Sequence, residues 1–293
     1  MSNEKRKTWL ITDSGCDIPA GWEKLYNIDI MPFSIMIDDK EYWERLDLTP
    51  QEFYELAENY SGIPTTNQIF SPRFEEKFLD CKAKGAEDVI IVLINSSGSQ
   101  TFNNALQARQ NLADSGKLGD MKIHIVDSHC YSVGYGYAVV EAAKKISMGQ
   151  SAESVVAYLE DWFNCVEIYL LTFDLRHAKK SGRITAAASV VGELMGIKPV
   201  ISMIDEKTSI IKKARGEKKA VEAAVTTMME RMIPGTPWLI LRSTCLEAED
   251  YMVELMTKKT GKPPAVDSFI GAAVGSNAGT KAIGVIIRGK PRR

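Results

Sequence analysis

Four short segments gather hydroxyl and amide side chains at spacings that suit an anion. They are Asp13-Ser14-Gly15, Pro64-Thr65-Thr66-Asn67-Gln68, Asn95-Ser96-Ser97-Gly98-Ser99-Gln100-Thr101 and Asp127-Ser128. Backbone N–H groups at a helix start, together with Ser and Thr hydroxyls, can hold a carboxylate or a phosphate without a formal positive charge. The same residue types also cap helices, so any one turn has a second use. Gly98-Ser99-Gln100-Thr101 is the sharpest of the four, because its small residues let a headgroup approach the backbone. The candidate ligand contacts on these turns are Thr65, Thr66, Asn67, Ser97, Ser99 and Thr101. A basic stretch, Arg176 to Arg183, is followed by Lys198, Lys212, Lys213 and Arg215. It reads either as a solvated face or as a positive rim, with Arg183, Lys198 and Arg215 facing an anionic group or an acidic partner.

Several chemistries are excluded by what is missing. No Gly-Lys-Ser or Gly-Lys-Thr follows the glycine turn, so it is not a Walker A loop, and no G-x-S-x-G elbow is present. Only three histidines occur, His124, His129 and His177, and neither His124 nor His129 has a spacing that reveals an orienting acid for a serine nucleophile. The five cysteines are scattered, with no CxxC pair, which fits neither a disulfide framework nor a zinc site. No metal and no cofactor are expected. Lys plus Arg total 36 against 38 acidic residues, so the net charge of −2 gives no electrostatic case for nucleic acid. No apolar run approaches the ~18 residues of a bilayer span. With reduced cysteines and no apolar leader after Met1, a cytoplasmic protein without stable membrane insertion is expected.

The elements that must position these turns alternate between strand and helix. Thr8–Thr12, Asp88–Ile94 and Lys122–Val126 read as strands, and the almost wholly apolar second run fits a parallel strand buried on both faces. Helical patterns fill Thr49–Asn59 (opened by a Thr-Pro-Gln-Glu start), Pro72–Ala83, Thr101–Leu112 and Tyr131–Ile146. Asn27–Asp38 and Glu41–Trp43 read as an extended pair turned at Asp38-Asp39-Lys40. This is α/β architecture, and the hydroxyl turns would collect at the carboxyl ends of the strands, where open sheets bind ligands. The break at Met148-Gly149-Gln150-Ser151 divides the chain into units 1–150 and 151–293. Strand patterns in the second unit are Glu167–Thr172, Lys198–Ile204, Thr208–Ala214, Trp238–Arg242, Ala265–Phe269 and Ala282–Ile287. The hairpin expected at Asp205-Glu206-Lys207 makes that sheet mixed or antiparallel. An Ala-rich helix is expected over Ala186–Met195.

The order of these motifs resembles the DegV family of bacterial fatty-acid-binding proteins over nearly the full length. Ile11-Thr12-Asp13-Ser14 is similar to that family's first-strand Asp-Ser signature. Thr66-Asn67-Gln68 stands where the family shows Thr-Ser-Gln, and Ser99-Gln100-Thr101-Phe102 resembles its Ser-Gly-Thr-Tyr turn. Val126-Asp127-Ser128 with Gly134-x-Gly136, Lys180-Ser181-Gly182-Arg183-Ile184 and Gly196-Ile197-Lys198-Pro199-Val200 match further segments in order. The resemblance implies two α/β domains, an N-terminal mostly parallel sheet and a C-terminal mixed sheet. It implies one long-chain fatty acid in a buried tunnel, its carboxylate held by Thr66 and Ser99. It implies a carrier that presents the acid to a fatty acid kinase, rather than an enzyme. One departure concerns the family's His-x-Gly-Pro-Gly stretch, which corresponds here to Asn277-Ala278-Gly279-Thr280-Lys281, so an amide replaces the imidazole. Met31, Phe33, Ile35, Leu194 and Met195 are candidates for the apolar walls. The alternative is a small-metabolite subunit like the substrate subunit of dihydroxyacetone kinase, which resembles this architecture in fold and would need a His such as His129.

Overall fold

The computed structural model describes residues 7–173, 175–188, 197–244 and 246–292. In chain order its strands are β1 (Thr8–Asp13), β2 (Asp29–Met31), β3 (Ser34–Ile37), β4 (Lys40–Trp43), β5 (Thr65–Asn67), β6 (Asp88–Leu93) and β7 (Lys122–Asp127). The later ones are β8 (Val166–Thr172), β9 (Ile197–Ile204), β10 (Lys207–Arg215), β11 (Trp238–Arg242), β12 (Val266–Phe269) and β13 (Ala282–Arg288). The helices are α1 (Trp22–Leu25), α2 (Pro50–Asn59), α3 (Ser71–Ala83), α4 (Thr101–Asp114), α5 (Val133–Ser147) and α6 (Ala152–Cys165). They continue with α7 (Leu175–Ser181), α8 (Thr185–Ala188), α9 (Glu217–Arg231), α10 (Leu246–Thr260) and α11 (Ala272–Ala278).

The first sheet is parallel throughout, in the order β2-β1-β6-β7. All six residues of β6 are buried, which requires cover on both faces and explains why its sequence does not alternate. Helix α3 packs on α4, and α5 on α6. The start signal of α2 is a full capping box: Thr49 Oγ1 accepts from the Glu52 N–H, and the Glu52 carboxylate accepts from the Thr49 N–H at 2.8 Å.

Two expectations change here. The extended run Asn27–Asp38 is broken at Pro32-Phe33, so β2 joins the parallel sheet while β3 pairs with β4 in a separate antiparallel sheet of order β4-β3-β5. Proline supplies no N–H for a ladder, and the chain changes sheet at that point. The Thr65–Asn67 segment, read as a turn, is the short strand β5, with Thr66 opposite Ile35. The hairpin turn at Asp38-Asp39 has φ of 49° and 60°, and that at Asp205-Glu206 has 49° and 64°. Positive φ at both central residues is the two-residue turn that matches strand twist.

The second sheet has the order β10-β9-β8-β13-β11-β12, antiparallel except for the β11–β12 pair. Strand period separates its faces. Tyr169, Leu171, Ile283, Val285, Trp238 and Ile240 pack in one core with α9 and α10. Ile168, Leu170, Ile286, Leu239 and Leu241 turn the other way, into a core shared with the first sheet. Of the helix expected over Ala186–Met195, only its beginning falls among the described residues, within α8; Leu194 and Met195 lie outside them.

Candidate functional site

The inward face of the second sheet is the floor of a cavity of about 800 Å³. Met203 pairs with Ile168 across β9 and β8, and Leu170, Gly284 and Leu241 form one row across β8, β13 and β11. All five line the cavity. Phe33, Ile94, Ile270, Ala273 and Val274 add further apolar wall. The polar side is made by Thr66, Asn67 and Gln68 around β5, and by Ser97, Ser99 and Gln100 in the turn after β6.

That turn is built to aim Ser99. Ser97 donates its hydroxyl and its N–H to Asn95 Oδ1, at 3.0 and 2.9 Å. Thr101 is fully buried; its Oγ1 accepts from the Ile69 N–H at 3.2 Å and shares a hydrogen bond with Ser99 Oγ at 2.9 Å in which either hydroxyl can donate. Ser99 Oγ also accepts from the Thr101 N–H at 3.3 Å. When Thr101 is the donor of that pair, the Ser99 oxygen accepts twice and its own proton is left to donate outward. Thr66 makes no side-chain hydrogen bond to any described residue, so its hydroxyl is likewise available at the cavity wall.

Tyr131 completes this side, and sequence reasoning treated it only as the start of a helical pattern. Its hydroxyl accepts from Asn95 Nδ2 at 3.2 Å and lines the cavity. Burial pushes its phenol up to about 12, so it stays protonated and can donate. A Cβ at position 98 would stand 2.3 Å from this oxygen, which is why the turn carries glycine there. The glycine was the legible signal, and its cause was not.

The cavity brings together Thr66, Asn67, Ser97, Ser99, Arg183 and Asn277 from the residues singled out in the sequence. Asn67 Nδ2 donates to Ser34 Oγ at 2.9 Å, and Asn277 Nδ2 to the Ala273 carbonyl at 2.8 Å. Arg183 is exposed and donates to the Ser181 carbonyl at 2.8 Å. Four others are not brought to the wall. Thr65 is exposed on β5, and Thr101 lies beneath Ser99 as its support. Lys198 Nζ turns to the Phe173 carbonyl, 3.2 Å away, because it is held over the Phe173 ring. Arg215 is exposed at the far end of β10. Phe33 lines the cavity, whereas Met31 and Ile35 are core residues. His129 is not on this wall; its ring meets Glu206 and, at 3.4 Å, Asp127.

Buried carboxyls tie the first sheet to the cavity walls. Asp13 accepts from the Ile94 N–H at 2.8 Å, the Gly15 N–H at 3.1 Å and the Tyr135 hydroxyl. Glu44 accepts from Ser14 Oγ at 2.5 Å and from the Ala273 N–H at 2.8 Å, which fixes the start of α11. Asp17 accepts from Ser132. Burial raises Asp13 from 3.8 to about 7; it raises Glu44, and burial with the Glu44 charge raises Asp17 well above the usual range. A carboxyl that holds its proton more tightly when folded favours the folded state at low pH, and that contribution is lost as pH rises through about 7. The urea midpoint is therefore expected to be higher at pH 5.5 than at pH 8, with an unchanged slope; a lower midpoint at pH 5.5 contradicts this.

The fold and site define an α/β protein of three sheets with one cavity apolar along its floor and hydroxyl-lined on one side. The chain belongs to the DegV family, described as uncharacterised proteins, which matches it over residues 7–290. A DegV domain-containing protein of Clostridium perfringens is 30% identical, covering 97% of this chain and 98% of the relative. Protein DegV of Bacillus subtilis is 26% identical over 94% of this chain and 97% of its own. Among solved structures, a fatty acid binding DegV family protein from Streptococcus agalactiae has a TM-score of 0.86 at 22% identity, covering 97% of this chain and 99% of that one. A DegV family protein from Thermus thermophilus, described for its fatty acid binding, has a TM-score of 0.83 at 24% identity, over 97% and 100%. At these identities the structures establish a shared fold. Among the described residues, no helix is long and apolar enough to cross a membrane.

Proposed function

We propose that this chain binds one long-chain fatty acid, with its carboxylate against the hydroxyls of Thr66 and Ser99 and its tail along the Leu170–Gly284–Leu241 floor. The observation that carries the reading is the division of one cavity into a hydroxyl-lined side and an apolar floor. Its volume of about 800 Å³ falls inside the usual range for small-molecule sites, ~300–1,000 Å³. A sixteen-carbon tail contributes on the order of 11 kcal/mol gross at ~0.8 kcal/mol per methylene, before ordering costs. The hydroxyls add less, and their task is to leave no desolvated carboxylate unpaired. The fatty acids bound by relatives of the same fold support this assignment.

In this reading the protein is a carrier and not a catalyst, with residues 1–150 and 151–293 as two α/β units that enclose the acid. Arg183, exposed beside the cavity, stands where a partner kinase would meet the headgroup. Asn277→His is expected to leave fatty acid affinity within about threefold and to change phosphorylation by a fatty acid kinase more than binding. Titration and phosphorylation measured side by side test both statements; loss of binding, or no phosphorylation of either form, contradicts the carrier role. For the binding reading itself, palmitate or oleate added to delipidated protein should raise its melting temperature. No shift with either acid contradicts it.

A further inference from the structure

We propose that Asp127, His129 and Glu206 form a binding site for a divalent transition-metal ion, built from none of the residues placed at the fatty acid headgroup or along the apolar floor. The three come from two sheets. Asp127 ends β7, and Glu206 occupies the β9–β10 turn. Asp127 Oδ1 is held by the Ser96 and His129 N–H groups, at 3.1 and 2.9 Å, so its Oδ2 is turned to His129 Nδ1 at 3.4 Å. Glu206 Oε1 reaches the same Nδ1 from the opposite sheet. One donor atom from each residue lies within 4.8 Å of the other two.

The donor types suit such an ion and the His129–Asp127 spacing matches it, while His129 and Glu206, in hydrogen-bond contact, would part to admit it. Around a tetrahedral zinc with bonds of ~2.0–2.1 Å, neighbouring donors stand about 3.3–3.4 Å apart. One imidazole nitrogen with two carboxylate oxygens is a borderline set, suited to zinc, iron or manganese, whereas calcium and magnesium favour all-oxygen cages. Without metal, Nδ1 and Glu206 are hydrogen-bonded, and an ion bound there would replace that contact.

A second cavity, of about 700 Å³, is lined by two of the three, Asp127 and His129, and by Asp205, the neighbour of Glu206. It gives space for the water that completes coordination when the protein supplies three ligands. The two arginines on its wall are engaged by main-chain carbonyls: Arg292 with Val166 and Phe163 at 2.7 and 2.6 Å, Arg109 with Ile123 at 3.2 Å. An ion here would clamp the β9–β10 turn to the end of β7. Glu206 also borders the first cavity, so the clamp would fix part of that wall. The site does not depend on what the first cavity holds.

The test is isothermal titration of untagged, chelator-treated protein with zinc chloride alone and with manganese chloride alone. One equivalent of zinc or manganese should bind the wild type and raise its melting temperature. His129→Ala should abolish that binding, and Glu206→Gln should weaken it at least tenfold, with metal-free circular dichroism unchanged. If His129→Ala does not fold, Glu206→Gln decides, since its side chain is partly exposed at 34%. No binding to the wild type, or affinity unchanged in either folded variant, overturns the site.

Discussion

Replacing Thr66 and Ser99 together by alanine should leave the protein unable to retain a fatty acid through purification. Each hydroxyl stands at the cavity wall: Ser99 held there by the Thr101 hydroxyl and N–H, and Thr66 with no side-chain hydrogen bond to a described residue. Removing one donor from a buried carboxylate costs about 1–3 kcal/mol, roughly 5- to 150-fold in affinity. Removing both leaves the headgroup to Tyr131 and to water, and the losses should approach the sum. Thr101→Val should reproduce part of the Ser99 effect, since it removes the hydroxyl that orients Ser99. Fluorescent fatty acid displacement on delipidated variants measures the ratios. Unchanged occupancy in the double variant places the headgroup elsewhere.

Gly284→Leu should reduce affinity for long-chain acids by a comparable factor, by a different physical route. Gly284 sits between Leu170 and Leu241 in the floor row, and a Cβ added there would already stand 3.0 Å from Leu241 Cδ1. A leucine side chain must displace Leu241 or enter the cavity. Overpacking of this size costs about 2–3 kcal/mol, roughly 30- to 150-fold if it falls on the bound state. Because the obstruction lies in the floor and not at the hydroxyl side, shorter acids should lose less affinity than longer ones. Equal losses for eight-carbon and eighteen-carbon acids would show that the tail does not run over Gly284. Circular dichroism of the lipid-free variant separates blocked binding from lost fold.

The elements of this fold were legible where a local rule decides them. The unbroken apolar run of β6, the Thr49–Glu52 capping box and the turns at Asp38-Asp39 and Asp205-Glu206 each follow from residues close together in the chain. β5 was not legible, because Thr65–Asn67 is extended only through pairing with β3, 31 residues earlier by the Thr66–Ile35 register. The floor was hidden for a related reason. Period-two alternation shows that Leu170 and Leu171 face opposite sides, but which side meets a cavity depends on where α9 and α10 pack. The hydroxyl turns were visible as a group, and the separate tasks within them were not: Ser99 and Thr101 look alike in sequence, and only the Ile69 N–H bond distinguishes the support from the wall. Lys198 shows the limit of reading charge from sequence alone: its ammonium meets a neighbouring carbonyl and aromatic ring, contacts no local pattern announces.

Native mass spectrometry of the protein, expressed in bacteria and purified without added lipid, tests the central claim most directly. A single adduct of long-chain fatty acid mass per chain, lost in the Thr66→Ala, Ser99→Ala double variant, is the predicted result. A bare chain in the wild type that also fails to take up added oleate, or an adduct indifferent to both substitutions, would contradict it.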